Sequence, residues 1–315
     1  MRIPALVLAL AATPLLACTV GDSTGGDDVP TTPGQVSGTI STDQTWSGTV
    51  TLAGDTTIAA GATVTVAPGT VVEANDGVTL RVAGTLLVDG TAAAKVTMNP
   101  APGATTWAGV VVDAGGAATL RHAEGAHVAT LMYCHAGAIA CLLDYVTFSD
   151  MNKALQAEAD ASITHAHLSK VGNGGVTILG GDVAITDSYL LTSTGDVVVQ
   201  NGGALTISYS EIGEAQGSYE HCDLHIGSAA ALRIEHSNIR AAVFGMMIGG
   251  TAGAIIQYNN FVENDPGNDI SPVGDNTAVD LRFNYWGNGV PTGLSAAYDV
   301  SSPAPARIVD AGPRP

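Results

Sequence analysis

The sequence predicts an all-β chain folded as one parallel β-solenoid with coils of about 22 residues. Three observations lead to this prediction. A short phrase of alternating apolar and polar residues recurs at intervals of 20 to 27 residues. Glycine pairs separate this phrase from a second short apolar strand. The chain is 46% hydrophobic and only 13% charged, which is enough apolar material for a long core.

The first segment has the features of an export signal. Residues 1–17 combine Arg2 with an apolar run, Ile3 to Leu16, that is too short to span a bilayer comfortably. Its ending, LLAC, resembles the lipobox of bacterial lipoproteins, which implies cleavage before Cys18 and lipidation of the Cys18 sulfur. An ordinary secretory signal followed by an accidental cysteine is the alternative.

The lipid anchor implies a membrane partner and a location. Several acyl chains on Cys18 would hold the protein in membrane lipid. Thr19 occupies the position at which Asp retains such lipoproteins in the inner membrane, so the resemblance implies an exported lipoprotein of the outer membrane or cell surface. Residues 18–36 are rich in Gly, Pro and Thr and predict a flexible linker. No later segment has eighteen consecutive apolar residues, and no further membrane span is expected.

The solenoid is predicted over residues 37–289, with 290–315 as a C-terminal tail or cap. Each coil has one apolar anchor residue, an apolar residue two positions earlier and a polar residue one position later. This alternation is typical of a strand with one buried face. The anchors are Leu120, Leu143, Ile163, Ile185, Ile207, Ile234, Ile256 and Leu281.

Two further positions recur after each anchor. Five residues on, a large apolar residue from Phe148 to Trp286 completes an inward column. Three residues on, small or polar residues predict a ladder of hydrogen bonds along the axis that satisfies the carbonyl groups of the bend. The polar members are Ser188, Ser210, Ser237, Asn259 and Asn284. Coils stacked about 4.8 Å apart would place like residues above one another.

Several phrases resemble one known superfamily. The stretches IIQYNNFVEN and LRFNYWGN are similar to coils of the right-handed parallel β-helix proteins of the pectate-lyase-like superfamily, with Asn259 and Asn284 at the asparagine-ladder position. The resemblance covers residues 37–289 and implies a right-handed helix. It implies no single function, because this scaffold carries lyases, hydrolases, adhesins and inert stalks. The basic residue beside Ca²⁺-binding carboxylates of its lyases and the Asp phrases of its hydrolases are not recognisable, and no catalytic residue is predicted.

The net charge indicates which partners the chain would repel. Eleven Lys and Arg residues against 29 Asp and Glu give a formal charge of −18. A chain this acidic repels the phosphate backbone, so nucleic acid is not an expected partner.

Position +2 after each anchor carries mainly rings. An exposed ring column would offer a polysaccharide a binding stripe, whereas a half-buried column at the bend would be a structural ladder. The sequence leaves both readings open. The column is His122, Tyr145, His165, Asp187, Tyr209, His236, Tyr258 and Phe283.

The three cysteines after Cys18 leave at least one thiol unpaired in a monomer. Cys134 and Cys141 are close enough in sequence to form a disulfide, although three reduced, buried cysteines are an equal alternative. Cys222 lies in YEHCDLHI, beside the donors His221, Asp223 and His225. This spacing matches no zinc pattern, neighbouring side chains alternate across a strand, and a second ligand pair is not evident. No metal site is therefore predicted.

The repeat lengthens at two places, after position +5 in both cases. The insertions, residues 213–223 and 262–272, should leave one edge of the solenoid about 10 Å apart and flank Arg240. This mixture of side chains would suit Ca²⁺, sugar hydroxyls or acid and base chemistry, and no cofactor other than Ca²⁺ is expected. Solvated loops without a ligand are the alternative. The candidate ligand-binding residues are Glu214, Tyr219, Glu220, His221, Asp223, Arg240, Glu263, Asp265 and Asp269.

Two classes of function follow from these patterns. The first is a non-catalytic, lipid-anchored cell-envelope protein that is structural or binds carbohydrate or another surface component. The second is a polysaccharide lyase or glycoside hydrolase that acts on an acidic polysaccharide.

Overall fold

The computed structural model describes residues 34–192, 195–214 and 220–315. The predicted signal peptide, Cys18 and most of the predicted linker lie outside these residues. Within them every regular element is a β-strand, and the named strands pair only in parallel. The described part of the chain contains no helix with the length and apolar character needed to cross a membrane.

Thirty-one strands of two to twelve residues make up the described fold. The first sixteen are β1 (Gln35–Ile40), β2 (Gln44–Trp46), β3 (Thr49–Ile58), β4 (Thr63–Val66), β5 (Val71–Ala74), β6 (Thr79–Val82), β7 (Thr85–Asp89), β8 (Val96–Pro100), β9 (Trp107–Val112), β10 (Ala117–Arg121), β11 (Ala123–Cys134), β12 (Ala140–Asp144), β13 (Thr147–Ala157), β14 (Ala161–Thr164), β15 (His167–Val171) and β16 (Val176–Ile178). The remaining fifteen are β17 (Asp182–Thr186), β18 (Tyr189–Thr192), β19 (Val198–Asn201), β20 (Ala204–Ser208), β21 (Glu211–Glu214), β22 (Glu220–Ser228), β23 (Ala231–Glu235), β24 (Asn238–Arg240), β25 (Ala242–Ile248), β26 (Ile255–Gln257), β27 (Asn260–Val262), β28 (Ile270–Pro272), β29 (Val279–Asp280), β30 (Tyr285–Trp286) and β31 (Tyr298–Asp299).

The strands form two sheets that wind into a parallel β-solenoid of about eleven turns, which confirms the predicted fold class. One sheet has twelve strands, one from each successive coil. The other has nineteen strands in two adjacent columns, and the long strands β3, β11 and β13 run through both columns. The twelve strands of the first sheet are β2, β4, β7, β10, β12, β14, β17, β20, β23, β26, β29 and β31.

The predicted anchor column is the centre of the core. Ile185 pairs with Ile207 and Ile207 with Ile234 in adjacent strands, and all eight anchors have no exposed surface. The column also continues upstream through Val88, which pairs with Leu120. The anchor pattern starts only at Leu120, because a 32-residue step separates Val88 from Leu120 and interrupts the repeat; the earlier coils are predicted from the resemblance alone.

The predicted polar ladder lies beside this column and is fully buried. The Ser188 amide donates to Ser210 Oγ (3.2 Å), and the Ser210 amide donates to Ser237 Oγ (3.1 Å). The Ser237 amide donates to Asn259 Oδ1 (2.9 Å), and the Asn259 amide donates to Asn284 Oδ1 (2.8 Å). The same side chains donate back to carbonyl groups of the bend, as Ser210 Oγ does to Ser208 O. The ladder therefore satisfies backbone groups that burial would otherwise leave unpaired.

The glycine pairs mark the turns that lead back to the twelve-stranded sheet. The second glycine of each pair has positive φ, 69° at Gly181, 63° at Gly203 and 59° at Gly250. A Cβ atom on Gly181 would lie 2.2 Å from the carbonyl carbon of Ala159 in the coil below. Both the backbone conformation and the close approach of the coils require glycine there.

The C-terminal region begins as one more strand and ends as a strap. Strand β31 pairs with β29 and extends the twelve-stranded sheet into the stretch predicted to be a tail or cap. Residues 302–315 then run back along the outside of the solenoid over successively earlier coils. Phe283 N donates to Ser302 O (3.1 Å), Ile308 N donates to Asn260 Oδ1 (2.8 Å), and the Gly312 amide donates to the carbonyl of His236 in an earlier coil (2.8 Å).

Candidate functional site

The ring column lies at the bend that follows each strand of the twelve-stranded sheet. Its eight residues all have positive φ, between 45° and 64°. The rings of His122, Tyr145 and His165 stack with centroids 4.8 and 4.2 Å apart. A second stack joins Tyr209, His236, Tyr258 and Phe283 at 4.9 to 5.2 Å, with interplanar angles of 19° or less. The column is therefore one ring per coil along the edge of the rod.

Asp187 interrupts the rings, and the C-terminal strap fills the gap. Arg314 Nε and Nη2 each donate to Asp187 at 2.7 Å, and the guanidinium carbon lies 3.7 Å from the Tyr209 ring centroid. The same Arg314 hydrogen bonds hold the pKa of the Asp187 carboxyl below its usual range. A planar cation thus takes the place of the missing ring.

This arrangement decides what the column offers to a ligand. The faces of the inner rings lie against neighbouring rings, so a sugar cannot stack on those faces in the usual way. The ring edges face outward, and Tyr145 and Tyr258 are 43% and 39% exposed. The strap's hydrogen bonds follow the second stack and end at Asp187. The edges of the first stack lie beyond that point.

The first residues of the two insertions, Gly213 and Val262, pair with Arg240 on either side, and the Glu211 carboxylate lies beside the arginine. Arg240 Nε donates to Glu211 Oε1 at 2.9 Å, and Arg240 Nη1 lies 3.7 Å from Glu263 Oε2. These side chains belong to successive coils, because Gly213 pairs with Arg240 and Arg240 pairs with Val262. Glu211 is missing from the predicted set, since it precedes the insertion.

Among the residues that the structure describes, the other predicted loop side chains form no ion pair with Arg240. Asp269 is buried at 2% exposure and accepts a hydrogen bond from Asn264 Nδ2 (3.0 Å). Burial raises the pKa of the Asp269 carboxyl to about 6, and the Asn264 hydrogen bond partly opposes this rise. Asp265 donates its backbone N–H to the carbonyl of Ala242 (3.0 Å). The predictions for Tyr219 and for the side chains of Glu214 and Glu220 fall outside what the structure describes.

His221 turns away from Arg240 toward the preceding coil. Its Nδ1 lies 2.8 Å from Asp196 Oδ1, and His225 Nδ1 lies 3.0 Å from Asp196 Oδ2. The buried Cys222 joins them, so that one potential ligand atom from each of these four residues lies within 4.8 Å of the other three. Asp223 is also buried, and it adds negative charge near the thiol. Burial first, and the Asp196 carboxylate second, raise the pKa of the Cys222 thiol.

The sequence predicts no metal site at this phrase, because its spacing matches no zinc pattern, neighbouring side chains alternate across a strand, and a second ligand pair is not evident. The structure adds a further potential donor, Asp196, from the preceding coil. The predicted strands at 197–199 and 224–226 would align Val197 with Leu224 and place Asp196 beside Asp223. The structure instead pairs Val198 with Leu224, and this shift of one residue places Asp196 beside Cys222. Although His221 and Cys222 are neighbours on one strand, their potential ligand atoms belong to the same cluster.

Two other contacts bear on the sequence analysis. Cys134 and Cys141 form a disulfide, and Cys222 is a free thiol. Lys170 Nζ lies 3.3 Å from Asp150 Oδ1 of the preceding coil. The strand of Lys170 carries no carboxylate, so the partner comes from the neighbouring coil. Both residues line a surface depression of about 320 Å³ that also includes Thr106 and Asn152.

The chain was compared with known proteins in three ways. No family model, no curated protein and no solved structure matches it.

Proposed function

We propose that this protein is a lipid-anchored β-helix of the bacterial cell envelope that binds a carbohydrate or another surface component and does not catalyse a reaction. The supporting observation is the exposed edge of the first ring stack, formed by His122, Tyr145 and His165. These rings follow one another from coil to coil along the rod. An extended polymer parallel to the axis would meet one ring edge in each coil.

The chemistry of that edge suits a hydroxyl-rich ligand. Tyrosine hydroxyls donate and accept hydrogen bonds, and neutral imidazole does the same through its two nitrogens. The rings are held by stacking and by a constrained backbone, so little conformational freedom remains to be lost on binding. The charge of −18 favours a neutral or cationic ligand over an acidic one.

The anchor and the family relationship belong to the same proposal. The lipobox-like ending LLAC supports lipidation at Cys18, and export to the outer membrane or cell surface follows from it. The ladder residues Asn259 and Asn284 support a right-handed helix related to the pectate-lyase-like superfamily. The solenoid would then act as a stiff rod that displays its edge above the membrane.

The binding proposal is tested with a glycan array probed with the full-length protein. We expect the wild type to bind neutral or basic glycans and Tyr145→Gly to lose the signal severalfold, since a hydrogen bond contributes about 0.5 to 1.5 kcal/mol. Glycine is the replacement of choice because it adopts the φ of 53° at this position without strain. The variant therefore removes the ring and spares the backbone.

Tyr189→Ala is the matched control. Tyr189 is similarly exposed, at 37%, but lies on another column, where it contacts His167. Its replacement should leave glycan binding unchanged. A wild type that binds no glycan or envelope fraction, or a Tyr145→Gly protein that binds like the wild type, would refute the proposed site.

The alternative is a polysaccharide lyase or glycoside hydrolase, and one observation favours it. Arg240 lies between the carboxylates of Glu211 and Glu263, a grouping that could bind a sugar acid and move a proton. Against it, both carboxylates already neutralise the arginine, and the charge of the chain opposes an acidic substrate. Release of reducing ends or unsaturated products from acidic polysaccharides, abolished in Arg240→Ala, would establish the enzyme instead.

A further inference from the structure

A second group of side chains lies away from the ring column and is independent of the proposed carbohydrate binding. It contains two imidazoles, one thiol and one carboxylate, contributed by Asp196, His221, Cys222 and His225. The donors come from two successive coils, 25 to 29 residues apart in sequence. Only the winding of the solenoid brings them together.

We propose that these four residues bind a divalent transition-metal ion of the zinc class. Zinc takes four ligands in tetrahedral geometry from imidazole, thiolate and carboxylate groups, with bonds of about 2.0 to 2.3 Å. Such bonds place ligand atoms roughly 3.4 to 3.6 Å from one another. The cluster lies within 4.8 Å throughout, and its two His–Asp contacts are 2.8 and 3.0 Å. Ion entry requires these two contacts to open by about half an ångström and the widest pair of ligand atoms to close by about one ångström.

The carboxylate is held in place before any ion binds. The Asp196 amide donates to Asn173 Oδ1 at 2.9 Å, and the Asp196 carbonyl accepts the Gly174 amide at 2.7 Å. Both partners belong to the coil below. Asp196 is therefore fixed at the corner, with its two carboxylate oxygens directed at the two histidines.

The ligands on β22 are also supported by their surroundings. The His221 ring packs edge-on against Phe244 of the next coil, with centroids 5.5 Å apart. Leu224 and Ile226 anchor the strand in the core, which leaves His225 facing outward beside His221. Ligands whose orientation is fixed by packing lose less entropy when they bind an ion.

Cys222 differs from an ordinary core cysteine. It has no exposed surface, yet it is not part of the hydrophobic core cluster that includes Cys134 and Cys141. Its neighbours are instead the Asp196 carboxylate and the buried Asp223. A buried thiol among carboxylates is electrostatically suited to a cation.

The site would also have a structural consequence. It joins the start of β22, which begins within the insertion at residues 213–223, to the coil that precedes it. Four protein ligands close the coordination shell, which is typical of structural and not of catalytic zinc sites. We therefore expect the ion to stabilise this part of the solenoid against unfolding.

The test uses the full-length chain with Cys18→Ser as the reference, so that Cys222 is its only cysteine outside the disulfide. The chelator-treated protein is titrated with Zn²⁺ by calorimetry and with Co²⁺ by absorption spectroscopy. We expect one ion per chain, a thiolate-to-cobalt charge-transfer band, and a higher unfolding temperature with Zn²⁺. His221→Ala, His225→Ala and Asp196→Asn should each weaken metal binding by more than about tenfold. Loss of a residue that only supports a ligand already costs roughly tenfold, and these variants remove a ligand itself.

Two further variants complete the experiment. Cys222→Ser should abolish the charge-transfer band. If replacement of this buried cysteine impairs folding, the metal affinity of His221→Ala still tests the site, because His221 is half exposed. His135→Ala is the control, because His135 also faces a carboxylate, that of Glu158 at 3.5 Å, outside the cluster. A reference protein that binds neither ion, variants that bind like the reference, or an equal loss in His135→Ala would each overturn the proposal.

Discussion

At the residue scale, one position per coil adopts a backbone conformation that most side chains avoid. The +2 residues have φ between 45° and 64°, and a left-handed conformation costs a non-glycine residue about 1 to 2 kcal/mol. Two neighbouring features offset this cost. The rings stack on one another, and from Asp187 onward the residue directly after each +2 position is a buried Ser or Asn of the ladder. The bend is thus over-determined by contacts along the axis.

The ladder residue Asn259 provides a direct test of this account. Its side chain accepts from the Ser237 amide and donates to the carbonyl of Ile234 at 2.9 Å. Asn259→Ala would leave both buried groups unpaired, and we expect a loss of about 2 to 4 kcal/mol in chemical denaturation. Asn152→Ala, at an exposed position, should change stability by less than about 0.5 kcal/mol. Equal effects of the two substitutions would contradict the structural role of the ladder.

Asp269 makes stability depend on pH. The pKa of its carboxyl is about 6 in the folded chain, because of burial, and about 3.9 in an unfolded chain. The folded state therefore holds the proton more tightly, and stability falls as the pH rises from about 4 to above 6. Asp269→Asn should remove this contribution and stabilise the protein at pH 8 by on the order of 2 kcal/mol. The measurement is denaturation at pH 5 and pH 8; identical pH slopes for variant and wild type would contradict it.

At the element scale, the C-terminal strap is held by side-chain hydrogen bonds and isolated backbone hydrogen bonds instead of a sheet. Asn260 accepts from the Ile308 amide (2.8 Å) and donates to the Ile308 carbonyl (2.9 Å), so one side chain replaces a strand partner. Asn238 donates to Ala311 O at 3.3 Å in the adjacent coil. These residues lie next to the ladder, at the point where each coil leaves its bend. The strap therefore follows the solenoid axis in the reverse direction.

Arg314 should determine how firmly the end of the strap is held. Arg314→Ala removes the ion pair with Asp187 and the contact with Tyr209, and the pKa of Asp187 should then rise toward its usual value. We expect faster hydrogen exchange at the Gly312 amide, which donates to the His236 carbonyl. Arg307→Ala, on the same strap, is the matched control. Unchanged exchange in Arg314→Ala would show that the asparagine contacts suffice.

At the scale of the whole molecule, stability comes from one continuous core. Ile207 and Ile234 are fully buried in adjacent coils, with no polar partner for an inserted charge. Ile207→Asp or Ile234→Asp should therefore cost at least about 4 kcal/mol and unfold the stack. Thr206→Asp changes the exposed neighbour of Ile207 and should leave the melting temperature nearly unchanged. An equal melting temperature for Ile207→Asp and the wild type would mean that the anchor column is not inward.

The location of the whole molecule depends on the predicted anchor. Cys18→Ser removes the sulfur that the lipobox-like sequence predicts to be acylated. We expect loss of metabolic lipid labelling and transfer of the protein from the detergent phase to the aqueous phase. A wild-type protein that never partitions into detergent would refute lipid anchoring.

The repeat in the sequence was sufficient to predict the architecture. Apolar residues at fixed offsets from each anchor must stack, because a single coil of about 22 residues cannot bury them alone. This periodicity predicts that Ile207 lies above Ile185 and Asn284 above Asn259, and both pairs are observed. The pairing of Arg240 with Gly213 and Val262, the first residues of the two insertions, follows the same period. The period of the sequence pattern equals the length of one coil, so each contact in the core repeats one coil later.

Only the tertiary structure decided how chemically different residues meet. Asp196 reaches His221 and His225 across one coil, and Arg314 fills the gap at Asp187 from 127 residues away. Neither contact follows the period of the repeat: the first depends on the register across a lengthened coil, and the second on the path of a strap with no repeat at all. Periodicity determines which residues are buried, because burial repeats with the backbone. It cannot specify the partners of polar side chains at irregular corners, because those partners depend on where the folded chain returns.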